Sequence, residues 1–318
     1  MTLRLVNFVP RNWTEAIPRA GAILESRIVD IAEICEAADV ECGCAGAVID
    51  LLSCPDCLQI AREALAQAGP DAPGLPLSEA KLLAPVLRPG KVLCLAGNYE
   101  SHRAEGGRAQ ADRDVSKRTP QVFLKPTPNT VCGTGDPILI GRTANFIDYE
   151  GELAVIIGKR GKYIKAEDAL AYVGGLTCFN DVSERQARIR ENADEKSWDN
   201  FFDWLNGKWY DSFAPMGPCA VPLGDTPGWD KLRLLTRVNG EVVQETITGE
   251  MTFSIPRQIE FISSMITLEP GDIIATGTPA GVGKVRGVAL KPGDVVDVEI
   301  EGIGTLSNPV VAESGWEA

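Results

Sequence analysis

Short apolar runs, separated by turn residues, recur along most of this chain and predict many strands. In these runs the apolar side chains either alternate with polar ones or follow each other without interruption, as in half-buried and fully buried strands respectively. They fall at 3–8, 19–24, 27–30, 91–96, 121–124, 149–157, 175–180, 232–238, 241–247, 273–276 and 295–300. The pair Asn239-Gly240 between two such runs is the strongest hairpin signal in the sequence, because its residues favour the tight primed turns that join antiparallel strands.

Helical signals are fewer and shorter. They predict helices at 31–38, 58–66 and 167–173. Ser183 and Ser254 are each placed to begin a further helix as its N-cap, and Pro256 fits a first helical turn because its missing N–H costs little there. Strands joined by hairpins, with few helices, predict an α+β fold that is mainly antiparallel β. Long βαβ repeats are absent from the pattern, which argues against Rossmann and TIM-barrel architectures.

A Pro- and Gly-rich stretch at 69–76 predicts a boundary between two parts of the chain. We expect a small N-terminal α/β domain at 1–68, a linker at 69–90 and a larger, strand-rich domain at 91–318. A chain of 318 residues has room for either one large domain or two.

Charge and composition narrow the classes of partner. The net charge of −13 argues against nucleic acid and anionic membranes as partners, because both are negatively charged. The sequence has no long uncharged apolar segment, so no transmembrane helix is predicted. The first residues contain no apolar segment of signal-peptide length, and we therefore expect a cytoplasmic location.

Nine cysteines are scattered over the chain, an odd number that favours free thiols. Two pairs, Cys42 with Cys44 and Cys54 with Cys57, could supply four thiolates to a structural Zn²⁺. The pairs lie nine residues apart, which is shorter than most zinc-ribbon spacings. The alternative is that these cysteines are small packing residues near a helix.

Three acidic residues alternate at the start of the predicted strand at 149–157. Alternation places Asp148, Glu150 and Glu152 on one face, where their carboxylates repel each other. A hard cation such as Mg²⁺, Mn²⁺ or Ca²⁺ would hold them together, since such ions prefer oxygen ligands. The alternative is an acidic edge strand in water. Asp181 follows another predicted strand and is either a third ligand or a helix cap.

His102 is the single histidine of the chain, and Glu105 follows it three positions later. In a helix this spacing puts the two side chains on one face, where they could act as a base and its orienting carboxylate. The alternative is a structural histidine.

The stretch 276–283 is rich in glycine, and its backbone N–H groups around Gly277 and Thr278 could hold an anion or oxyanion. It lacks the Gly-Lys-Ser/Thr ending of a nucleotide-binding loop. The alternative is an ordinary turn.

Three cations follow or flank the predicted strands. Lys125, Arg185 and Lys208 could each pair with a substrate carboxylate. Each could equally be a solvated surface charge.

Taken in order, these motifs resemble the fumarylacetoacetate hydrolase family. The matching stretches are 97–102, 123–126, 148–158, 180–185, 211–218, 238–241 and 273–283. The likeness spans about residues 91–311 and extends loosely to 19–30. It implies a β-roll catalytic domain that forms a homodimer, preceded by the small N-terminal domain.

The resemblance also implies roles for individual residues. Glu150, Glu152 and Asp181 would bind Mg²⁺ or Mn²⁺, with Ca²⁺ as a third option, and Asp148 would lie outside the ligand set. His102, with Glu105 as its carboxylate partner, would activate water.

Substrate contacts are implied for a second group of residues. Arg185, Lys208 and Thr278 match residues that contact the substrate in the family. Lys208 and the loop containing Gly277 would hold a carboxylate or oxyanion, and Lys125 is a further candidate for substrate binding.

Family chemistry is the cleavage of C–C bonds or the enolisation of 2-oxo acids and 1,3-dicarbonyl compounds. We expect a divalent-metal-dependent hydrolase of acylpyruvates, because the pair His102 and Glu105 is intact and hydrolysis needs an activated water. The second hypothesis is an isomerase or decarboxylase of 2-oxo diacids that uses the same metal and an enolate. A third, a non-catalytic scaffold, predicts the loss of a metal ligand, and none is lost.

Two segments depart from the family pattern. The stretch from Arg185 to Lys208 is longer than usual and carries aromatic residues between Trp198 and Trp204. We expect it to cover the substrate site and favour a bulky substrate, or else to form an inter-subunit contact or core packing. The polar stretch 104–118 is expected to be a lid over His102 and Glu105.

Overall fold

The computed structural model describes residues 2–12, 17–107, 118–187 and 197–314, and strands dominate these ranges. In chain order the strands are β1 (Leu5–Pro10), β2 (Arg19–Leu24), β3 (Arg27–Asp30), β4 (Leu75–Pro76), β5 (Ala80–Leu83), β6 (Val92–Ala96), β7 (Gln121–Lys125), β8 (Val131–Cys132), β9 (Ile138–Ile140), β10 (Ile147–Asp148), β11 (Gly151–Ile157), β12 (Val173–Asn180), β13 (Ser183–Glu184), β14 (Ala214–Pro222), β15 (Arg233–Val238), β16 (Glu241–Ile247), β17 (Ile273–Ala275), β18 (Val295–Ile300) and β19 (Gly304–Ala312). The predicted α+β, mainly β class is confirmed.

The α-helices are short. They are α1 (Ile31–Ala37), α2 (Val48–Ser53), α3 (Pro55–Ala68), α4 (Glu100–Glu105), α5 (Ser197–Asn206), α6 (Ile255–Met265) and α7 (Gly283–Arg286). The helix predicted at 167–173 is a 3₁₀ helix, Ala166–Tyr172. Within the described ranges, none of the helices combines the length and the apolar character that crossing a bilayer requires.

The largest sheet has twelve strands and joins the N-terminal segment to the rest of the chain. Its main path is β4-β3-β2-β1-β14-β12-β11-β17-β6-β7, with β5 paired to β1 and β8 to β14. The connection between the two parts is antiparallel pairing of β1 with β14, at Leu5 and Ala220. A five-stranded sheet has the order β16-β15-β18-β19-β9, and β10 pairs with β13. The division into domains at 1–68, 69–90 and 91–318 stays a prediction.

Several local predictions are confirmed. The hairpin of β15 and β16 turns at Asn239-Gly240, where both residues have positive φ, as the primed turn requires. β2 and β3 also pair as predicted. Ser254 is the N-cap of α6, and Pro256 lies in its first turn.

The helix predicted to begin at Ser183 is wrong. Ser183–Glu184 forms strand β13, which pairs antiparallel with Ile147–Asp148. The Ser183 hydroxyl donates to the carbonyl oxygen of Asp181 at 2.9 Å instead of capping helical N–H groups. The Glu184 carboxylate accepts N–H groups from Asn145 and Phe146, which stabilises the strand pairing. Consequently Arg185 directly follows a strand and does not belong to a helix.

The centre of the sheet is buried on both faces. In β11, Leu153 and Val155 belong to an apolar cluster shared with α6, whereas Ala154 and Ile156 belong to a cluster on the opposite face shared with α1, α2 and α3. Alternation along the strand explains this division. It also places Glu152 on the same face as Ala154, at the end of the strand where the apolar run begins.

Candidate metal centre and active site

The predicted acidic strand is interrupted before its apolar part. Asp148 ends β10, whereas β11 begins at Gly151, and the N–H of Glu150 donates to Asn180 Oδ1 at 3.0 Å. Because of this break, Asp148 does not continue the alternating series. Its carboxylate accepts N–H groups from Tyr149 at 2.8 Å and Gly283 at 2.6 Å. The single face of three acids expected from the sequence is therefore reduced to Glu150 and Glu152.

Asp181 is the residue that completes the acidic group. It follows β12, which pairs with β11 so that Gly151 faces Asn180, and its N–H donates to the carbonyl oxygen of Glu150 at 2.9 Å. One carboxylate oxygen from each of Glu150, Glu152 and Asp181 lies within 4.8 Å of the other two, and all three residues are buried. The structure thus brings the predicted metal ligands together.

Lys208 bridges two of the three carboxylates. Its Nζ donates to Glu150 Oε2 at 2.8 Å and to Asp181 Oδ2 at 2.7 Å, and the side chain is only 3 % exposed. The ammonium also lies 5.0 Å from the centroid of the Phe123 ring and 5.9 Å from that of Trp204. The predicted catalytic lysine is therefore inside the site.

Lys125 is buried beneath Asp181. Its Nζ donates to the carbonyl oxygens of Val182, at 2.7 Å, and Phe213. The same ammonium lies 2.6 Å from Asp181 Oδ1, although this contact lacks hydrogen-bond geometry. Burial lowers the pKa of Lys125, and the Asp181 carboxylate offsets only part of that effect. Lys125 is therefore placed to position Asp181, and its predicted contact with a substrate stays a prediction.

Arg185 joins two of the acids. Its Nε donates to Asp148 Oδ2 at 2.9 Å, and its Nη2 donates to Glu150 Oε1. The side chain is 10 % exposed, so it is largely buried and retains a small accessible area. Burial would lower the pKa of Arg185, but Glu150 and Asp148 outweigh it and raise that pKa above its ordinary value. Arg185 is thus a permanent cation at the border of the site.

The two glutamates experience opposite electrostatic environments. Burial raises the pKa of Glu150, but the charges of Arg185, Lys208 and His102 more than offset this and leave it well below its usual range. Burial also raises the pKa of Glu152, and the nearby Asp181 and Glu150 carboxylates raise it further. Negative charge at Glu152 is therefore only partly compensated by the protein.

These residues fit a divalent cation. Three buried carboxylates supply oxygen ligands of the kind that Mg²⁺ and Mn²⁺ prefer. Asp181 Oδ1 has no hydrogen bond. Burial and then the like charges of Asp181 and Glu150 raise the pKa of Glu152, and a cation would relieve that repulsion. Glu150, Glu152 and Asp181 would hold the ion.

His102 and Glu105 form the predicted pair on α4. Their Nδ1 and Oε1 atoms are 2.7 Å apart, and both side chains are partly exposed, at 22 % and 14 %. Glu105 Oε2 also accepts the N–H of Gly281 at 2.7 Å. The charge of His102 contributes, after burial, Arg185 and Lys208, to the lowered pKa of Glu150.

The glycine-rich loop connects the pair to the carboxylates. The N–H of Gly277 donates to Glu152 Oε2 at 2.8 Å. The Thr278 hydroxyl donates to the carbonyl oxygen of Gly151 at 3.0 Å and accepts from Gln244 at 2.8 Å. These contacts position Glu152 and the start of β11, and the roles predicted for Gly277 and Thr278 in substrate binding stay predictions.

Sequence reasoning did not identify three of the supporting residues. Asn180 holds the backbone of Glu150, and its position beside Asp181 at a strand end was the available signal. Gln244 accepts the N–H of Gly151 at 2.9 Å, but it belongs to a different sheet and no local pattern marks it. Tyr149 donates to the carbonyl oxygen of Gly281 at 3.1 Å, and burial raises the pKa of Tyr149 to about 12, so its hydroxyl stays protonated.

Among the described residues of the aromatic segment, Trp204 lies next to the candidate site. Trp204 packs edge-to-face on Phe123, with ring centroids 5.0 Å apart, next to Lys208. Trp198 and Phe201 on the same helix are 68 % and 47 % exposed. The proposed substrate cover stays a prediction. Most of the predicted lid at 104–118 lies outside the described residues.

The fold and site define a class of enzyme in which buried carboxylates are combined with a histidine–glutamate pair. Residues 91–311 match the family described as fumarylacetoacetate (FAA) hydrolase C-terminal. This chain belongs to the fumarylacetoacetate hydrolase family and is an enzyme of that family, as the sequence motifs predicted.

Individual relatives carry more specific names. The chain is 41 % identical over 256 residues to the mitochondrial oxaloacetate tautomerase FAHD2A of Bos taurus, covering 80 % of this chain and 76 % of that protein. The solved structure of a probable 2-hydroxyhepta-2,4-diene-1,7-dioate isomerase from Mycobacterium abscessus is 27 % identical, with a TM-score of 0.74 over 99 % of this chain and 100 % of the other. Maleylpyruvate hydrolase from Sphingobium sp. SYK-6, solved with manganese(II) and pyruvate, is also 27 % identical, with a TM-score of 0.73 over 98 % and 100 %.

Proposed function

We propose that this enzyme interconverts the keto and enol forms of oxaloacetate or a closely related 2-oxo diacid. The observation that carries the proposal is the His102–Glu105 pair, joined through one loop to the carboxylates that would hold a cation. Enolisation needs a proton acceptor beside a group that stabilises negative charge on a carbonyl oxygen. The likeness to an oxaloacetate tautomerase supports this reaction over the hydrolysis that the sequence favoured.

The proton transfer depends on the histidine tautomer. With Nδ1–H directed to Glu105, Nε2 is free of a proton and can accept one from the C3 methylene group. The electrons of the broken C–H bond form the C2–C3 double bond, and the carbonyl electrons move to the C2 oxygen. The His102 cation then returns its proton to that oxygen, so the enol contains the same atoms as the keto form. Glu105 orients His102 and stabilises its transient charge.

Charge stabilisation comes from two sources. A bound Mg²⁺ or Mn²⁺ would polarise the carbonyl as a Lewis acid. Lys208 has three N–H donors, and among the described residues two of them are directed to Glu150 and Asp181. The third can stabilise the developing oxyanion, and the accessible part of Arg185 can pair with a substrate carboxylate.

Different products distinguish tautomerisation from decarboxylation and from C–C hydrolysis. Ultraviolet absorbance of the enol follows tautomerisation, and pyruvate formation follows decarboxylation or C–C hydrolysis in parallel assays with oxaloacetate and acylpyruvates. We expect His102→Ala to slow tautomerisation by about 10²–10⁴-fold, the usual contribution of a positioned general base. Glu100→Gln is the matched control, since Glu100 begins the same helix and pairs with Arg118 and Thr252.

Two results would contradict the proposal. One is a wild-type enzyme that cleaves acylpyruvates while leaving keto–enol exchange at its uncatalysed rate. The other is His102→Ala with full tautomerase activity.

Hydrolysis of an acylpyruvate is the second candidate. The likeness to a maleylpyruvate hydrolase solved with manganese(II) and pyruvate supports it. In that reaction His102 would remove a proton from water, and the oxygen would attack the distal carbonyl of the substrate. Parallel measurement of enol formation from oxaloacetate and of pyruvate formation from acylpyruvates decides between the two reactions.

We also propose that the chain forms a homodimer and acts in the cytoplasm. The exposed aromatic side chains of α5 support self-association, because clustered apolar surface commonly marks an interface. Sedimentation of the purified chain tests the dimer. The cytoplasmic location is an expectation from the sequence, whereas the tautomerase relative is named as mitochondrial.

A further inference from the structure

A second group of potential metal ligands lies in the N-terminal segment, apart from the carboxylates. Sγ atoms of Cys44, Cys54 and Cys57 all lie within 4.8 Å of one another. Cys57 is buried and the other two are partly buried. All three are free thiols in the structure. Neither the proposed reaction nor the family resemblance accounts for this grouping.

Local structure brings two of these thiols together. Cys54 is the N-cap of α3, and the N–H of Cys57 donates to Cys54 Sγ at 3.4 Å. The intervening Pro55 occupies the first turn, where its fixed φ favours the start of a helix. This turn therefore directs two sulfur atoms to the same side of the helix terminus, with a backbone donor that would stabilise a thiolate.

The third thiol of the group, and a fourth cysteine nearby, come from the segment between α1 and α2. Cys44 completes the group of three. Cys42, two positions earlier, directs its Sγ toward the carbonyl oxygen of Cys57 at 3.8 Å. Its thiol is thus at the border of the same group and could join it by a change of side-chain rotamer.

The ligand atoms and their spacing fit zinc. A tetrahedral site with Zn–S bonds of about 2.3 Å requires sulfur atoms roughly 3.8 Å apart. The observed sulfur atoms all lie within 4.8 Å of one another, which is compatible with that spacing. A disulfide would use two of the thiols and leave the third beside it, so pairing alone does not explain the convergence of three. Soft thiolates also select zinc over the hard ions that suit the carboxylates.

We propose that Cys44, Cys54 and Cys57 bind a structural Zn²⁺ and that Cys42 supplies the fourth thiolate. Four protein ligands leave no open position, so the site is structural and not catalytic. The ion connects the segment before α2 to the beginning of α3.

The proposed zinc site would act on the twelve-stranded sheet through α2, which packs against it. Leu52 of α2 lies against the glycines where β11 ends and β12 begins, so closely that a Cβ on Gly158 would be 2.7 Å from the Leu52 carbonyl oxygen. The N–H of Val48, at the start of α2, donates to Asn7 of β1 at 3.0 Å. Zinc would therefore hold α2 in place between its two neighbouring segments and the sheet.

Metal analysis of the full-length protein tests the proposal. We expect protein produced with zinc and reductant to retain about one Zn²⁺ per chain after dialysis against a weak chelator. The double variant Cys54→Ser/Cys57→Ser should retain less than about one tenth of that amount. Cys132→Ser is the matched control, because Cys132 is a partly buried cysteine on β8, outside this group, and it should keep its zinc.

Cobalt distinguishes this site from the carboxylates. Replacing zinc by Co²⁺ should give the visible bands of a tetrahedral ion and an intense sulfur-to-cobalt charge-transfer band. Oxygen ligands do not produce that charge-transfer band. Cys42→Ser should weaken the charge-transfer band and lower the zinc affinity. An unchanged band in Cys42→Ser would overturn the assignment of the fourth ligand.

A measurement on the wild-type chain covers the case in which the double variant does not fold. Zinc should protect these cysteines from alkylation, as read by mass spectrometry, and a thiol-specific mercurial should release zinc as the protection is lost. Absence of both zinc and the charge-transfer band in the wild-type chain would overturn the proposal. So would a disulfide between Cys54 and Cys57 in protein purified without oxidant.

Discussion

The carboxylate cluster of Glu150, Glu152 and Asp181 and the thiol cluster of Cys44, Cys54 and Cys57 differ in how the protein supports their ligand atoms. Buried ammonium groups contact the carboxylates directly, with Lys208 Nζ 2.8 Å from Glu150 and 2.7 Å from Asp181. The thiol cluster instead has backbone contacts, such as the N–H of Cys57 on Cys54.

This difference separates catalytic from structural use of a metal. Ionised carboxylates are costly to bury unless cations compensate their charge. A site that contains its own lysines therefore keeps its ligands in place when the metal leaves, and loss of metal reduces activity. Thiols are neutral when protonated, so they pack without cations, and the metal adds a cross-link that acts on stability.

The largest expected effect is on catalysis, from Glu150→Gln. Lewis-acid polarisation supplies several kcal/mol, and each 1.4 kcal/mol is a factor of ten, so we expect tautomerisation to slow by about 10³-fold. Steady-state assays across a range of Mn²⁺ concentrations measure the loss. Asp272→Asn is the control, because Asp272 is a buried acid paired with Lys91 at 2.7 Å, at the other end of β17 from the Gly277 loop. Equal losses in both variants would contradict a metal role for Glu150.

The next effect is on stability, from Lys208→Met. Removing one partner of a buried ion pair costs about 3–5 kcal/mol, and we expect the lower end because Lys125 and Arg185 remain near the acids. Urea unfolding of the metal-free protein measures it. Adding Mn²⁺ at 100 times its Kd should restore about 2.7 kcal/mol, since the ion replaces the missing cation.

Lys81→Met is the control for that experiment. Lys81 pairs with Asp136 at 2.8 Å, but its side chain is 45 % exposed, so its loss should cost no more than about 1 kcal/mol. If Mn²⁺ leaves the free energy of unfolding of Lys208→Met unchanged, the carboxylate cluster does not bind the ion in place of the Lys208 cation.

The smallest effect has the opposite sign and comes from Glu152→Gln. The raised pKa of Glu152 means that the folded state holds its proton more tightly than the unfolded state. Stability therefore falls as pH rises from the ordinary glutamate pKa, about 4.3, through the folded value, and the full cost is present above it. Glutamine removes this cost, and we expect the metal-free variant to gain about 0.5–2 kcal/mol near neutral pH.

Unfolding of the metal-free protein across pH measures this gain. Glu150→Gln is the matched variant, for which we expect the opposite change in stability. The lowered pKa of Glu150 gives stability that is present above the ordinary glutamate pKa and lost as pH falls below it, so its removal should destabilise. A Glu152→Gln protein less stable than the wild type at every pH would refute the proposed strain at the carboxylates.

Much of the fold followed from local pattern. Asn239-Gly240 determined a hairpin because the turn needs two residues that accept positive φ. The spacing of His102 and Glu105 placed them on one face of α4, where they meet at 2.7 Å. Ser183 shows where such reasoning fails, since its capping preference was overridden by pairing with β10.

The roles of the other site residues depended on contacts between distant segments. Lys125 Nζ lies 2.6 Å from Asp181 Oδ1, and the N–H of Gly277 donates to Glu152, and neither contact was indicated by local spacing. Gln244, which supports Gly151 from another sheet, carried no local signal.

The sequence alone determined the strand-rich class, the family, and the identity of Glu150, Glu152 and Asp181 as metal-ligand candidates. These properties depend on residue type and short spacings, which a chain carries whether or not it is folded. Only the tertiary structure decided that Lys208 lies between Glu150 and Asp181, and that Cys44 reaches the start of α3. Such contacts are set by sheet pairing and burial across the whole molecule, where an unpaired charge or donor is costly, and spacing along the chain does not specify them.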